Sequence, residues 1–145
     1  MIKMIILDVD GTLTDGKIYM GANGEIMKAF NAHDAIGVRK LKENNIIPVI
    51  ITGRKSDITI NRAKEMNVDL IYQDVSNKLP KLKEIAKNLN IKYNEIAYIG
   101  DDENDLESMN ICGVKCCPND AMDTIKAKCD IVSKYNGGSG AVREI

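Results

Sequence analysis

The sequence predicts an α/β fold: a doubly wound parallel sheet with one β-hairpin projecting from it. Apolar runs at residues 2–7, 46–51, 69–72 and 96–99 lack polar alternation, as strands covered on both faces do. Helical patterns fall between them. Residues 34–44 carry Ile36, Val38 and Leu41 on helical spacing, 56–66 open on a Ser-Asp cap signal, and 78–89 align Leu79, Leu82, Ile85, Ala86 and Leu89 on one face. Weaker strand signals lie at 113–117 and 131–132. Strand–helix alternation of this kind implies right-handed crossovers and a site beyond the carboxyl ends of the strands. The hairpin is expected within residues 14–31, where Asn23-Gly24 separates two strand-like runs, and it stands beside that end of the sheet.

At 145 residues the chain reads as one domain, 1–145, able to bury about 70% of its extended surface. A formal net charge of −1, with lysines and acids interspersed, gives no electrostatic reason to expect nucleic acid or an anionic membrane. No apolar run is long enough to span a bilayer. The apolar start stops at Asp8, too short for a signal peptide, so a cytoplasmic protein is expected. Cys112, Cys116, Cys117 and Cys129 show no CxxC pairing and His33 is distant, so reduced thiols are expected rather than a zinc site. His33 itself reads as a loop or capping residue before a helix.

The chemistry is carried by four segments, each following or flanking a strand. Asp8-Val9-Asp10-Gly11-Thr12-Leu13-Thr14 delivers two carboxylates to the end of the first strand. Two apart in extended chain, they point the same way, and such charges repel without a cation or shared proton. Ile51-Thr52-Gly53-Arg54 ends the second strand and offers the Thr52 hydroxyl and backbone N–H to an anion. Lys78 stands at the start of a helix, a reasonable phosphate anchor. Gly100-Asp101-Asp102-Glu103-Asn104-Asp105 gathers acids after another apolar run, a donor set that suits Mg²⁺. Asp102 and Asp105 could instead simply cap a helix, which leaves Asp101 unaccounted for.

In this order the segments resemble the haloacid dehalogenase superfamily of phosphotransferases, along the whole chain. Within it the sequence is most similar to the small phosphatases of 3-deoxy-manno-octulosonate 8-phosphate, through Lys28-Ala29-Phe30-Asn31, Tyr72-Gln73, Ser76-Asn77-Lys78-Leu79 and residues 137–144. The resemblance implies that Asp8 is the nucleophile and forms an aspartyl-phosphate, with Asp10 as acid and then base. It implies Mg²⁺ held by Asp8, the Asp10 carbonyl and Asp101. Thr52 and Lys78 would grip the phosphoryl oxygens, with Asp102 and Asp105 in support. Gly53, Arg54 and Lys55 would complete the substrate site, the two cations either binding the substrate carboxylate or standing as an exposed pair at a helix start.

No insertion is long enough for a cap domain, and the family forms tetramers in which an adjacent subunit roofs each site; a homotetramer is expected on that resemblance. Arg54 favours the octulosonate substrate over the related nonulosonate 9-phosphates (N-acylneuraminate and its deaminated analogue), whose phosphatases carry an acid there. The sequence departs from the family at Ser139, where an arginine is usual, and stops at Ile145 without the tail common in the family, which removes the support for a tail reaching a neighbour's site. Gly137, Gly138 and Gly140 read equally well as a flexible terminus. The competing readings are a receiver-type phosphoacceptor domain, disfavoured because its aspartate ends a middle strand of the sequence, an idle oligomerisation module, and a phosphatase of nucleotides or phosphoproteins.

Overall fold

The computed structural model describes all residues, 1–145. A parallel sheet of six strands runs through it: β1 (Met4–Leu7), β4 (Ile47–Ile51), β5 (Leu70–Tyr72), β6 (Ile96–Ile99), β7 (Val114–Cys117) and β8 (Ile131–Val132), in the order β5-β4-β1-β6-β7-β8. β2 (Tyr19–Gly21) and β3 (Gly24–Met27) form a separate antiparallel hairpin. The helices are α1 (Ala32–Glu43), α2 (Asp57–Glu65), α3 (Lys78–Asn88), α4 (Glu103–Met109), α5 (Asp123–Lys126) and α6 (Ala141–Glu144). None is long and apolar enough to cross a membrane.

Alternation along the buried strands splits the core in two. Met4, Ile6, Val49, Ile51, Ile96 and Tyr98 face Leu82 and Ile85 of α3, Met109 of α4 and Ile125 of α5. Leu7, Ile50 and Ile99 face Ala35 and Val38 of α1, Ala63 of α2 and Val142 of α6. Helices thus cover both faces, as the unalternated strand runs require. β1 pairs with β4 on one side and β6 on the other, so strand order reverses beside β1, where such sheets place their sites.

The expected elements form with small shifts of boundary. The first strand begins at Met4 rather than Ile2, and the hairpin strands span only Tyr19–Met27 of the 14–31 segment. Ala22 and Asn23 occupy the turn, and Gly24 (φ +116°) closes it, so the Asn-Gly pair sits one residue late. Asn31 caps α1 by accepting from His33 N–H, which leaves His33 as a capping-segment residue.

The glycine-rich tail is no flexible terminus. Gly138 N–H donates to Thr12 O at 3.3 Å, and Asp34 of α1 accepts from Arg143 N–H at 3.0 Å. These contacts dock residues 137–145 on the loop that follows β1 and on α1. A Cβ at Gly137 would lie 2.1 Å from Gly11 O and 2.7 Å from Thr14 O, both backbone atoms with no room to yield. Gly137→Ala is therefore expected to lower stability by about 1–3 kcal/mol and to reduce turnover, read from thermal melts and kinetics on one preparation.

Candidate active site

Three parallel strands end at one place. β1 delivers Asp8, β6 leads through Gly100 to Asp101, and β4 leads to Thr52. A cavity of about 220 Å³ opens there, lined by Asp8, Asp10, Thr52, Gly53, Arg54, Asp101, Asp102 and Asn104, with no apolar side chain. Larger hollows elsewhere, such as one at the opposite end of β4 beside Lys42 and Asp69, gather no comparable chemistry.

Beneath the cavity lies a buried ionic hub. Lys78, whose side chain is 0% exposed, donates to Asp8 Oδ1 at 2.9 Å and to Asp105 Oδ1 at 2.7 Å. Tyr98 donates to the same Asp105 oxygen at 2.6 Å, and Asp105 Oδ2 accepts from the N–H of Asp101 and Asp102 at 3.2 and 3.5 Å. Burial would lower the Lys78 ammonium, but the charges of Asp8 and Asp105 hold it above its usual range. Burial and then the Asp105 charge push the Tyr98 hydroxyl well up, so it remains a donor.

Asp8, Asp101 and Asp105 each bring an oxygen within 4.8 Å of the others. Asp105 is saturated by its four donors and fully buried, which disqualifies it as a ligand. The oxygens that remain are those of Asp8 and Asp101, which face the cavity, and the Asp10 carbonyl, which accepts no hydrogen bond. Two carboxylates and a carbonyl fit a hard divalent cation that keeps part of its shell for water or phosphate. Their electrostatics agree. Burial and the Asp105 charge raise Asp8 to about 6, against the pull of Lys78. Burial and the adjacent Asp8 raise Asp101 to about 9. The Asp101 carboxyl thus holds a proton that a cation would displace.

The anion side of the cavity differs from the expectation at Thr52. Its N–H donates to Tyr72 O at 2.9 Å, completing the β4–β5 ladder, so it is not free for a ligand. The hydroxyl and the N–H of Gly53 and Arg54, which have no partner in the chain, are the donors left. The Gly11 turn is fixed by closeness as well as by its φ of +91°, since a Cβ there would lie 1.9 Å from Asp101 Oδ2. Asp102 caps α4 and accepts from Glu103 N–H. Lys55 is exposed, lines no part of the cavity and makes no ion pair, and Lys78 touches Asp8 rather than the cavity.

Sequence reasoning missed the hairpin's contribution. Lys28 is ion-paired with Asp10, and Glu25 is bonded to Arg54 and Ser56. Lys28 stands in a segment that carried the family resemblance, yet nothing local marks it as buried.

A buried carboxylate at a strand end, a second acid two residues on, a buried lysine and a cation-ready pair at the switch point of a doubly wound sheet suit a phosphoryl-transfer hydrolase. Residues 54–145 match the haloacid dehalogenase-like hydrolase family. The 3-deoxy-D-manno-octulosonate 8-phosphate phosphatase of Escherichia coli K12 is 41% identical over 144 residues, 99% of this chain and 77% of that protein. The crystal structure of the Yersinia pestis enzyme of that name superposes with a TM-score of 0.95 at 40% identity, over 99% of this chain and 77% of that one. The Moraxella catarrhalis enzyme, solved with magnesium ion, phosphate ion and KDO, gives 0.94 at 39% identity, over 99% and 82%. The chain belongs to the haloacid dehalogenase-like hydrolases, on the branch of the octulosonate 8-phosphate phosphatases.

The raised carboxyls fix a pH dependence. From the ordinary value of 3.8 up to about 9, the metal-free native state binds more protons at Asp8 and Asp101 than the unfolded chain does. Its stability therefore falls as pH rises through that window. In EDTA the melting temperature is expected to drop between pH of about 6 and about 9, and Mg²⁺ is expected to raise it most at the alkaline end. A melting temperature that rises with pH in EDTA would contradict the assignment.

Proposed function

We propose that this chain is a Mg²⁺-dependent phosphomonoesterase that removes phosphate from 3-deoxy-D-manno-octulosonate 8-phosphate. The observation that carries the reading is the Lys78–Asp8–Asp101 arrangement, supported by relatives of that activity over 99% of the chain. The magnesium, phosphate and KDO in the Moraxella structure support the cofactor and the sugar-acid class.

Asp8 attacks phosphorus with a carboxylate oxygen. The bond from phosphorus to the sugar oxygen breaks, and Asp10 gives that oxygen a proton. Asp10 then takes a proton from water, whose oxygen displaces Asp8 from phosphorus and releases inorganic phosphate. The Thr52 hydroxyl and the N–H groups of Gly53 and Arg54 donate to the phosphoryl oxygens, where charge is spread in the transition state. Lys78 holds Asp8 ionised and aligned, and Arg54 offers a guanidinium to the substrate carboxylate. Asp8, Asp101 and the Asp10 carbonyl would hold Mg²⁺, which when bound cancels the repulsion between nucleophile and phosphate. Asp105 orients Lys78, and Asp102 fixes the loop beside Asp101.

The hairpin supports an assembly. Tyr19, Met20, Ile26 and Met27 are 37%, 61%, 64% and 52% exposed on a two-stranded unit, an apolar surface that suits a protein partner. We propose a homotetramer of single-domain cytoplasmic subunits in which hairpins meet and a neighbour roofs each site.

Asp8→Asn is expected to cut turnover by on the order of 10⁴-fold or more without lowering the melting temperature, and residual hydrolysis near wild type would refute the nucleophile. EDTA should abolish activity and Mg²⁺ restore it. Across a panel of phosphorylated sugar acids, kcat/KM should be highest for the octulosonate 8-phosphate; a preference for nonulosonate 9-phosphates, or none over p-nitrophenyl phosphate, would displace the substrate. Light scattering should give four subunits, and Ile26→Glu should reduce that number.

A further inference from the structure

A buried cation ties the hairpin to the active site. Lys28 lies one residue past β3, and its side chain is 1% exposed. Its Nζ is ion-paired with Asp10 Oδ1 and lies 3.3 Å from Glu25 Oε2. Glu25 in turn accepts from Ser56 Oγ at 3.0 Å and from Nε and Nη2 of Arg54, each at 3.3 Å. A line of alternating charge thus runs from Asp10 through Lys28 and Glu25 to Arg54 on the cavity wall.

The strand is built to make this line. Residues three apart on a regular strand point to opposite faces. Here Tyr19 faces Met27 while Met20 faces Glu25, so Ile26 is an extra residue and β3 bulges. Bulges re-aim side chains beside active sites, and this one brings Glu25 and Lys28 to the same side. An ammonium buried this deeply requires an anionic partner, which Glu25 supplies throughout the proton transfer by Asp10. Since the Lys28 side chain is almost inaccessible and lines no part of the cavity, it does not reach substrate.

We infer that Lys28 is a positioning residue for Asp10, and that Glu25 couples it to Arg54, so that the hairpin aligns the general acid and the specificity residue together. The inference rests on the proposed role of Asp10 as acid. An acid matters in proportion to the need of the leaving group for a proton. A sugar alkoxide needs one, whereas p-nitrophenolate departs without it. Misalignment of Asp10 therefore penalises the sugar phosphate selectively, which a general loss of structure does not.

The test is kcat for wild type, Lys28→Met and Lys28→Arg on octulosonate 8-phosphate and on p-nitrophenyl phosphate. Lys28→Met should lose on the order of 10²-fold on the sugar phosphate and about tenfold less than that on the aryl ester. Lys28→Arg should recover part of the loss on the sugar phosphate. The ratio of the two rates in one sample does not depend on the fraction folded. Equal losses on both substrates, or none on either, overturn the inference. A wild type that cleaves other alkyl phosphates but not the octulosonate ester overturns the substrate reading alone, and the same ratio is then taken on the alkyl phosphate it does cleave.

Discussion

The structure depends on how charge is balanced at the end of β1. Asp8, Asp101 and Asp105 set three carboxylates against the single ammonium of Lys78, with Asp8 and Asp105 buried and Asp101 half-buried at the cavity. Fully ionised, the group carries two negative charges too many. A buried excess of that size is intolerable in a low-dielectric interior. A proton on Asp101 relieves part of it, and a divalent cation relieves all of it. The same imbalance is what suits the proposed site to a divalent cation and, through it, to a phosphate dianion. Ion pairs buried this deeply contribute little net stability; here they fix the direction in which the Asp8 carboxylate points.

Topology supplies the convergence. Strand order reverses beside β1, so the loops after β1 and β6 cannot pack over each other and leave a cleft between them. Helix α3 starts at Lys78 and aims its first side chain under the cleft, while α4 starts beside Asp102 and presents Asp105 from its first turn. The tail of the same chain closes the far side of the β1 loop through Gly137 and Gly138. Lys78 Nζ and Ile99 O thus hold Asp8 directly, while Asp105 and the tail brace Lys78 and the loop after β1.

Much of this was legible in the sequence, for physical reasons. Strands buried on both faces must be apolar throughout, so residues 46–51 and 96–99 read clearly, and the acids after them mark strand ends. What was not legible depends on contacts across the fold. The Thr52 N–H looks free until Tyr72 is placed beside it. Gly137-Gly138 reads as a loose end until Gly11 and Thr14 occupy the space its missing side chains leave. Lys28 resembles any hairpin lysine, because its burial comes from Asp10, 18 residues earlier, and from a bulge that no local pattern announces.

The hairpin shows why that bulge matters. A regular two-stranded ribbon in water presents one face to its neighbours and is marginal on its own. The extra residue in β3 lets one short strand serve two surfaces: Glu25 and Lys28 turn to the active site, while Met20 and Ile26 remain exposed to solvent. The exposed face cannot be covered by this chain, whose helices are committed to the sheet. Whatever packs on it presses on the strand that carries Glu25 and Lys28. On the proposed roles, covering the apolar face and holding Asp10 in place are consequences of one element, which would give a site without a cap domain a means of being ordered from outside.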